Sequence, residues 1–176
     1  MSNQPNNPVS ENITRVARLD IAGGGQVTVQ NGLAFVGHMD APHGTTIIDV
    51  KDPHNPQILK QIMLEDGLSH THKVRVAGNI MITNVEQAQR HLLRRGEQLP
   101  EVTKKLGTAL GRAPSDAEIA AELGLPEAKL PDVRQFLENG YSDGGFRVWD
   151  IADPSAPELL AYVRTHGFGV HRFDMD

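Results

Sequence analysis

An internal repeat constrains the fold of this chain more than any other feature. Residues 44–62 read GTTIIDVKDPHNPQILKQI, and residues 145–163 read GFRVWDIADPSAPELLAYV. Each copy places a run of β-branched, aromatic and apolar residues before Asp-Pro-x-x-Pro, which predicts a strand, a proline turn and a second strand. Two copies of one supersecondary unit in a single chain indicate a repeat architecture.

A second repeated element precedes each copy. Residues 26–36 read QVTVQNGLAFV and residues 72–83 read HKVRVAGNIMIT, and each predicts a hairpin around an Asn- and Gly-containing turn. Together the two elements give a four-stranded antiparallel unit, and 46 residues separate Gln26 from His72. The strands of the first unit are predicted at residues 26–30, 33–38, 44–50 and 56–64. Four short strands per ~40–50 residues are typical of a β-propeller blade.

The predicted fold is mainly β, a partial β-propeller of about two four-stranded antiparallel blades with an α-helical insertion. The insertion is predicted at residues 86–140, which are rich in Ala, Leu, Glu and Arg and lack a β pattern. Residues 1–22 are predicted to be a disordered or extended arm, and residues 23–85 to hold blade 1 and the first half of blade 2. Residues 141–176 are predicted to complete blade 2 and to begin blade 3. A propeller closes with ~4–8 blades, so we expect an N-terminal fragment of a longer protein.

The core strands of the two copies carry a family resemblance. They read TIIDV at residues 46–50 and RVWDI at residues 147–151, each followed one residue later by Asp-Pro. On these residues the chain resembles the LVIVD-repeat proteins, which are β-propellers. The resemblance covers residues 23–85 and 141–176 and implies a fold without implying a particular reaction. More distantly, the architecture is similar to the selenium-binding and methanethiol-oxidising propellers, which use histidines to hold a metal.

The insertion carries a different resemblance. Residues 110–125, LGRAPSDAEIAAELGL, resemble a helix-turn-helix stretch of housekeeping-type bacterial sigma factors. Ser115 and Glu118 predict a capping box, and Gly124 predicts the end of that helix. Residues 86–140 contain eight Lys or Arg and nine Asp or Glu, so no excess of positive charge is available for DNA phosphates. We therefore expect a lid or an interface element, and DNA binding is only a remote alternative.

The order of the strands predicts where the histidines lie. Consecutive strands of a blade run antiparallel, so the loops after the second and fourth strands lie on one face of the disc. The candidate metal ligands in these loops are His72, His171, His70, His38 and His43. His72 and His171 share one repeat position at the start of the innermost strand, so we expect both to point toward the central channel. His70 faces the same side as His72 if the chain there is extended.

The remaining histidines can be assigned to a face in the same way, and metal binding by histidine has a simpler alternative. His91 in the insertion and His166 in a later loop belong to the same face, whereas His54 lies on the opposite one. A histidine at a strand end is often a solvated or hydrogen-bonded turn residue, and this alternative stays open for each candidate. The shared repeat position favours metal binding for His72 and His171, while His38 and His43 are predicted to be ligands or to orient ligands.

Neutral imidazole binds Zn, Cu, Fe and Ni, so we expect a divalent transition metal as cofactor. Such a metal can act as a Lewis acid, activate water or bind oxygen. The sequence therefore predicts a metal-dependent enzyme acting on a small-molecule substrate that it does not identify. The alternative is a non-catalytic propeller whose same face binds a protein or a ligand.

Composition narrows the possible kinds of site, partner and cellular location. The chain has no cysteine, which excludes disulfides and thiolate metal sites and is compatible with a reducing compartment. No apolar run approaches the ~18 residues of a membrane span, so no membrane association is expected. The net charge of -5 does not favour nucleic acid as a partner. These features predict a cytoplasmic protein, and they are compatible with a homo-oligomer.

Overall fold

The structure is a computed structural model and describes residues 12–88, 90–165 and 168–175. These residues form two antiparallel sheets, and a helical segment lies between two strands of the second sheet. The predicted mainly β class with a helical insertion is confirmed at this level. Among the described residues, no helix is long and apolar enough to cross a membrane.

The first sheet is a four-stranded meander. Its strands are β1 (Gly24–Gln30), β2 (Leu33–His38), β3 (His43–Asp49) and β4 (Gln57–Met63), in the order β1-β2-β3-β4. The turn between β1 and β2 consists of Asn31 and Gly32, which have φ angles of 51° and 74°. Two consecutive residues with positive φ are what a tight hairpin turn requires, because their twist matches that of the strands. The predicted hairpin therefore forms for the predicted reason.

The second sheet repeats this meander and adds one short strand. Its strands are β5 (Ser69–His70), β6 (Val74–Ala77), β7 (Ile80–Gln87), β8 (Gly145–Asp150) and β9 (Glu158–Arg164). The order is β5-β7-β8-β9, and β6 also pairs with β7. Strand β7 is long enough to pair with both β5 and β6, because its residues 80–83 pair with β6 and its residues 86–87 pair with β5. Residues 171–176 are predicted to begin a third unit; residues 171–175 carry no strand, and Asp176 lies outside the described residues.

The Asp-Pro turns of the two repeats have the same hydrogen bonds. Asp49 and Asp150, at equivalent strand ends, each accept a bond from a backbone N–H two residues later, at 2.9 and 2.8 Å. Asp52 and Asp153, which precede the prolines, do the same at 2.9 Å. Aspartate at these positions therefore ends a strand and caps a turn.

The helical segment connects β7 to β8. Its helices are α1 (Arg90–Gly96), α2 (Leu99–Leu110), α3 (Asp116–Leu123) and α4 (Leu130–Asn139), with a 3-10 turn at Glu127–Lys129. The predicted capping box is present, because Ser115 accepts a bond from the Glu118 N–H and Glu118 accepts one from the Ser115 N–H. Gly124 ends α3 in the left-handed conformation, with φ of 64°.

Of the apolar cores formed by the described residues, two join these parts. The first joins the two sheets and consists of Phe35, Ile47, Ile62, Val74, Met81, Trp149 and Ile151. A hydrogen bond of 2.9 Å from the Thr28 hydroxyl to the Val74 carbonyl also links β1 to β6. The second core packs the helices against the chain that precedes β5, and it consists of Leu68, Leu93, Ile119, Leu123, Leu125, Leu130 and Val133. The second core therefore places the helical segment next to the His70 region.

Candidate metal centre

The centre forms where the segment from β5 to β6 passes strand β7. His70, the last residue of β5, pairs with Glu86 of β7, and His72 follows two residues later. Side chains two residues apart in an extended chain point to the same side, which brings both imidazoles to the Glu86 carboxylate. All three residues are buried, with exposed fractions of 8, 6 and 5% for His70, His72 and Glu86.

The distances within this group fit a single metal ion. His72 Nδ1 lies 3.2 Å from His70 Nε2 and 3.4 Å from Glu86 Oε2. One ligand atom from each of the three residues lies within 4.8 Å of the other two. Two nitrogen ligands of a tetrahedral ion, each bonded at ~2.0–2.1 Å, are about 3.4 Å apart. The buried His/His/Glu group can therefore hold a metal ion after small adjustments of the side chains.

His171 reaches the same carboxylate from a different part of the chain. Its Nδ1 lies 3.2 Å from Glu86 Oε2, and its ring centroid is 5.1 Å from that of His72. Unlike the other three side chains, that of His171 is 62% exposed. The structure thus brings together three of the five histidines selected from the sequence, His70, His72 and His171, with His171 on the solvent side.

Burial keeps His72 in the form that binds metals. Loss of solvation lowers the pKa of His72 from 6.5 to about 4, and the nearby Glu86 carboxylate opposes this shift only in part. The neighbouring His70 lowers the pKa of His72 further. The imidazole of His72 is therefore neutral at pH 7 and offers a lone pair.

Asn84 organises the centre from the same strand. Its Nδ2 lies 3.3 Å from Glu86 Oε2, 3.4 Å from His72 Nδ1 and 3.1 Å from the Val170 carbonyl. Its Oδ1 accepts a bond of 2.8 Å from the backbone N–H of Lys73. Asn84 therefore ties β7 to both segments that carry histidines.

His38 and His43 form a separate pair. The ring of His38 is fully buried. In the neutral tautomer that fits both of its hydrogen bonds, Nδ1 donates to the Ala22 carbonyl at 2.9 Å and Nε2 accepts from the Thr46 hydroxyl at 2.7 Å. Burial also lowers the pKa of His38. The rings of His38 and His43 are 5.8 Å apart, and neither residue belongs to the group around Glu86.

Among the histidines whose side chains the structure describes, His54 does not extend the site. His54 lies in the exposed turn between β3 and β4, and its backbone N–H bonds to Asp52. The position of His166 and the side chain of His91 lie outside the described residues.

Sequence reasoning missed Glu86 and Asn84. Glu86 was expected at the start of the insertion, yet it is part of strand β7. A signal was present, because Asn84 and Glu86 alternate with Thr83 and Val85 in the motif TNVE. Two polar residues on one face of a strand next to a His-x-His segment indicate a polar centre, but only if the strand is recognised to continue that far.

Comparison with known proteins finds a family match for the helical segment. The family model for Sigma-70 region 3 matches residues 94–141, which is about a quarter of the chain and falls within the helical segment and the loop after it. No curated protein and no solved structure matches the chain at a significant level. The helical segment is therefore similar to Sigma-70 region 3, as its sequence motif suggested, and this similarity does not extend to the two sheets.

Proposed function

We propose that this chain is part of a metal-dependent β-propeller enzyme in which His70, His72 and Glu86 hold a divalent transition metal. The observation that carries the proposal is the convergence of two buried imidazoles and one buried carboxylate, whose ligand atoms lie within 4.8 Å of one another. Two histidines and one carboxylate form the ligand set of catalytic zinc sites and of non-haem iron oxygenases. A metal bound here would supply Lewis acidity toward an oxygen atom of the substrate.

The residues of the chain have distinct roles in this proposal. Glu86 supplies the negative charge that balances part of the charge of the cation, and His72 supplies a neutral nitrogen. Asn84 orients both side chains through its amide group. His171, at the solvent side, is placed to complete the ligand set or to accept a proton from a substrate bound at the open side.

The propeller part of the proposal rests on the repeat. The strands β1-β2-β3-β4 and β6-β7-β8-β9 form two meanders with equivalent turns and one shared core. We interpret them as two neighbouring blades of an LVIVD-repeat propeller, with residues 23–85 and 141–176 as the blade-forming regions. Two blades are fewer than the ~4–8 that close a propeller, so the proposal requires further blades from outside this sequence or from other copies.

The helical segment serves in this proposal as a lid or an interface element beside the metal centre. The Tyr141 hydroxyl, directly after the segment, lies 3.1 Å from the hydroxyl of Ser69, the neighbour of His70. Binding of DNA is a second candidate, which the match to Sigma-70 region 3 favours. Against it, four of the cations in the segment are already paired with acidic residues: Lys105 with Glu122, Arg112 with Glu118, Lys129 with Asp132 and Arg134 with Asp116.

Metal content tests the first part of the proposal. The purified chain would be stripped with a chelator and reloaded separately with Zn²⁺, Fe²⁺, Cu²⁺, Mn²⁺ and Ni²⁺, and the bound metal would be measured by mass spectrometry. We expect about one tightly bound ion per chain for at least one metal, and its loss in Glu86→Gln and in His72→Ala. His54→Ala is the matched control and should bind as the unchanged chain does, because His54 lies in a turn away from the centre.

The outcomes separate the candidates. If no metal binds to the folded chain, the metal-dependent enzyme is refuted. If metal binds but Glu86→Gln retains it fully, the centre is wrongly located. If metal binds at this centre and no turnover is found in a broad substrate screen, a non-catalytic propeller that binds a protein or a ligand is the better interpretation. A salt-dependent shift of duplex DNA by the chain, lost when residues 94–141 are deleted, would favour the DNA-binding candidate instead.

A further inference from the structure

A second feature involves the residues that follow His72 and His171 in the chain. It is a cleft of about 470 Å³. Its lining residues are Gln26, Lys73, Arg75, Arg172, Phe173 and Asp174. This volume lies within the ~300–1,000 Å³ of pockets that bind small organic molecules. None of these six residues belongs to the metal-binding group.

The cleft is positively charged. Three of its six lining residues are cations, Lys73, Arg75 and Arg172, and a single acid, Asp174, opposes them. Asp174 is engaged by Arg75, with Nε and Oδ1 separated by 3.2 Å. The chain as a whole has a net charge of -5, so this local excess does not follow from its composition. A basic cleft on an acidic protein attracts anions to one place.

The cleft and the metal centre share two segments of the chain. Lys73 directly follows His72, and Arg172 directly follows His171. The position of Lys73 is held by the bond from its backbone N–H to Asn84, the same residue that contacts Glu86. The backbone of each of these two cations therefore lies one residue, ~3.8 Å between Cα atoms, from a histidine that contacts Glu86.

The remaining lining residues add chemical detail. Gln26 donates its backbone N–H to the His72 carbonyl at 2.9 Å, and its side-chain Oε1 is buried without a hydrogen-bond partner among the described residues. A buried acceptor of this kind favours a ligand that carries a hydroxyl or N–H group. Phe173 adds an apolar surface for the carbon skeleton of the ligand.

We infer that this cleft binds the carboxylate or phosphate group of a small organic anion whose other end reaches the metal centre. Arginine and lysine supply charge-assisted hydrogen bonds to such groups, and arginine can bind them through two parallel N–H bonds. The assignment of this anion as a substrate rests on the proposed function. The binding of the anion itself requires no metal, so the two ideas can fail separately.

The test uses the full chain and two simple probes, inorganic phosphate and succinate. Each is titrated calorimetrically into the metal-free chain at low ionic strength, and then into the metal-loaded chain. The variants are Lys73→Gln and Arg172→Gln, which remove one charge each and keep a polar side chain. Lys60→Gln is the matched control, since Lys60 is an exposed cation on β4 outside the cleft. Circular dichroism and metal content are recorded for every variant.

We expect at least one probe to bind the metal-free chain, with a dissociation constant about tenfold higher in each cleft variant and unchanged in Lys60→Gln. The stronger probe identifies the anionic group, phosphate or carboxylate. The inference is overturned if neither probe binds the metal-free chain, if the cleft variants bind as well as the unchanged chain, or if Lys60→Gln weakens binding equally. Binding that occurs only with metal and persists in both cleft variants also overturns it, because the anion would then be a metal ligand. If the unchanged chain binds an anion but no metal, the proposed function is refuted and the inference about the cleft stands.

Discussion

The buried His72 makes the stability of the metal-free protein depend on pH in a calculable way. Its pKa falls from 6.5 to about 4 on folding, so the unfolded chain binds a proton more readily than the folded chain does. A group whose pKa is depressed by folding contributes its full stability above the unfolded pKa, and this contribution is lost as the pH falls through 6.5 toward 4. Acidification should therefore destabilise the fold through this residue.

The size of the effect follows from the two pKa values. The shift corresponds to about 3 kcal/mol once the pH is below both values. Between pH 7.5 and pH 5 the linkage relation gives a loss of about 2 kcal/mol from His72 alone. Glu86 is already included in this shift as the carboxylate that partly offsets the cost of burial.

The assay is urea denaturation in the presence of a chelator at pH 7.5, 6.5, 5.5 and 5, for the unchanged chain, His72→Gln and His54→Gln. Other groups, including His38, also titrate, so the relevant quantity is the difference in unfolding free energy between the unchanged chain and His72→Gln. We expect this difference to shrink by about 2 kcal/mol from pH 7.5 to pH 5. His54→Gln should show the pH dependence of the unchanged chain. A difference that stays constant across this range would refute the argument that His72 is buried in its neutral form.

Two further predictions test the fold itself. Phe35→Ala removes a fully buried ring from the core shared by the two sheets and should lower the free energy of unfolding by about 3–5 kcal/mol. The control Val29→Ala, at a position 64% exposed, should change this free energy by less than about 0.5 kcal/mol. Equal effects of the two variants in urea denaturation would argue against the shared core. Ser115→Ala removes the N-cap of α3 and should speed hydrogen exchange of the α3 amides about fivefold, the equivalent of about 1 kcal/mol. The control Ser142→Ala, in an exposed loop, should leave this exchange unchanged. Unchanged exchange in Ser115→Ala would mean that the Ser115–Glu118 cap does not stabilise the helix.

Local features of the fold were predictable because they depend on neighbours in sequence. The positive φ angles of Asn31 and Gly32, the Asp49 and Asp150 turns and the capping box of α3 each involve residues at most three positions apart. The strand order within each meander also followed from the repeat, since short connections leave consecutive antiparallel strands side by side.

Boundaries and irregular additions were less predictable. The first strand of the second unit was expected at His72 but begins at Val74, and the chain before it forms the extra strand β5. Strand β7 continues to Gln87 because β5 offers it a second partner. The period-two pattern of a strand cannot reveal such an addition, because the pairing joins Ser69 to Gln87, which lies 18 residues further along the chain.

The sequence by itself determined the repeat, the mainly β class, the helical segment and the selection of histidines as the residues of interest. Only the tertiary structure decided which of them meet. It joined His70, His72 and His171 to Glu86, and it engaged both ring nitrogens of His38 with Ala22 and Thr46. The physical reason is that a metal centre needs several side chains within a few ångströms, and that convergence is set by strand register and by the burial of distant segments against one another.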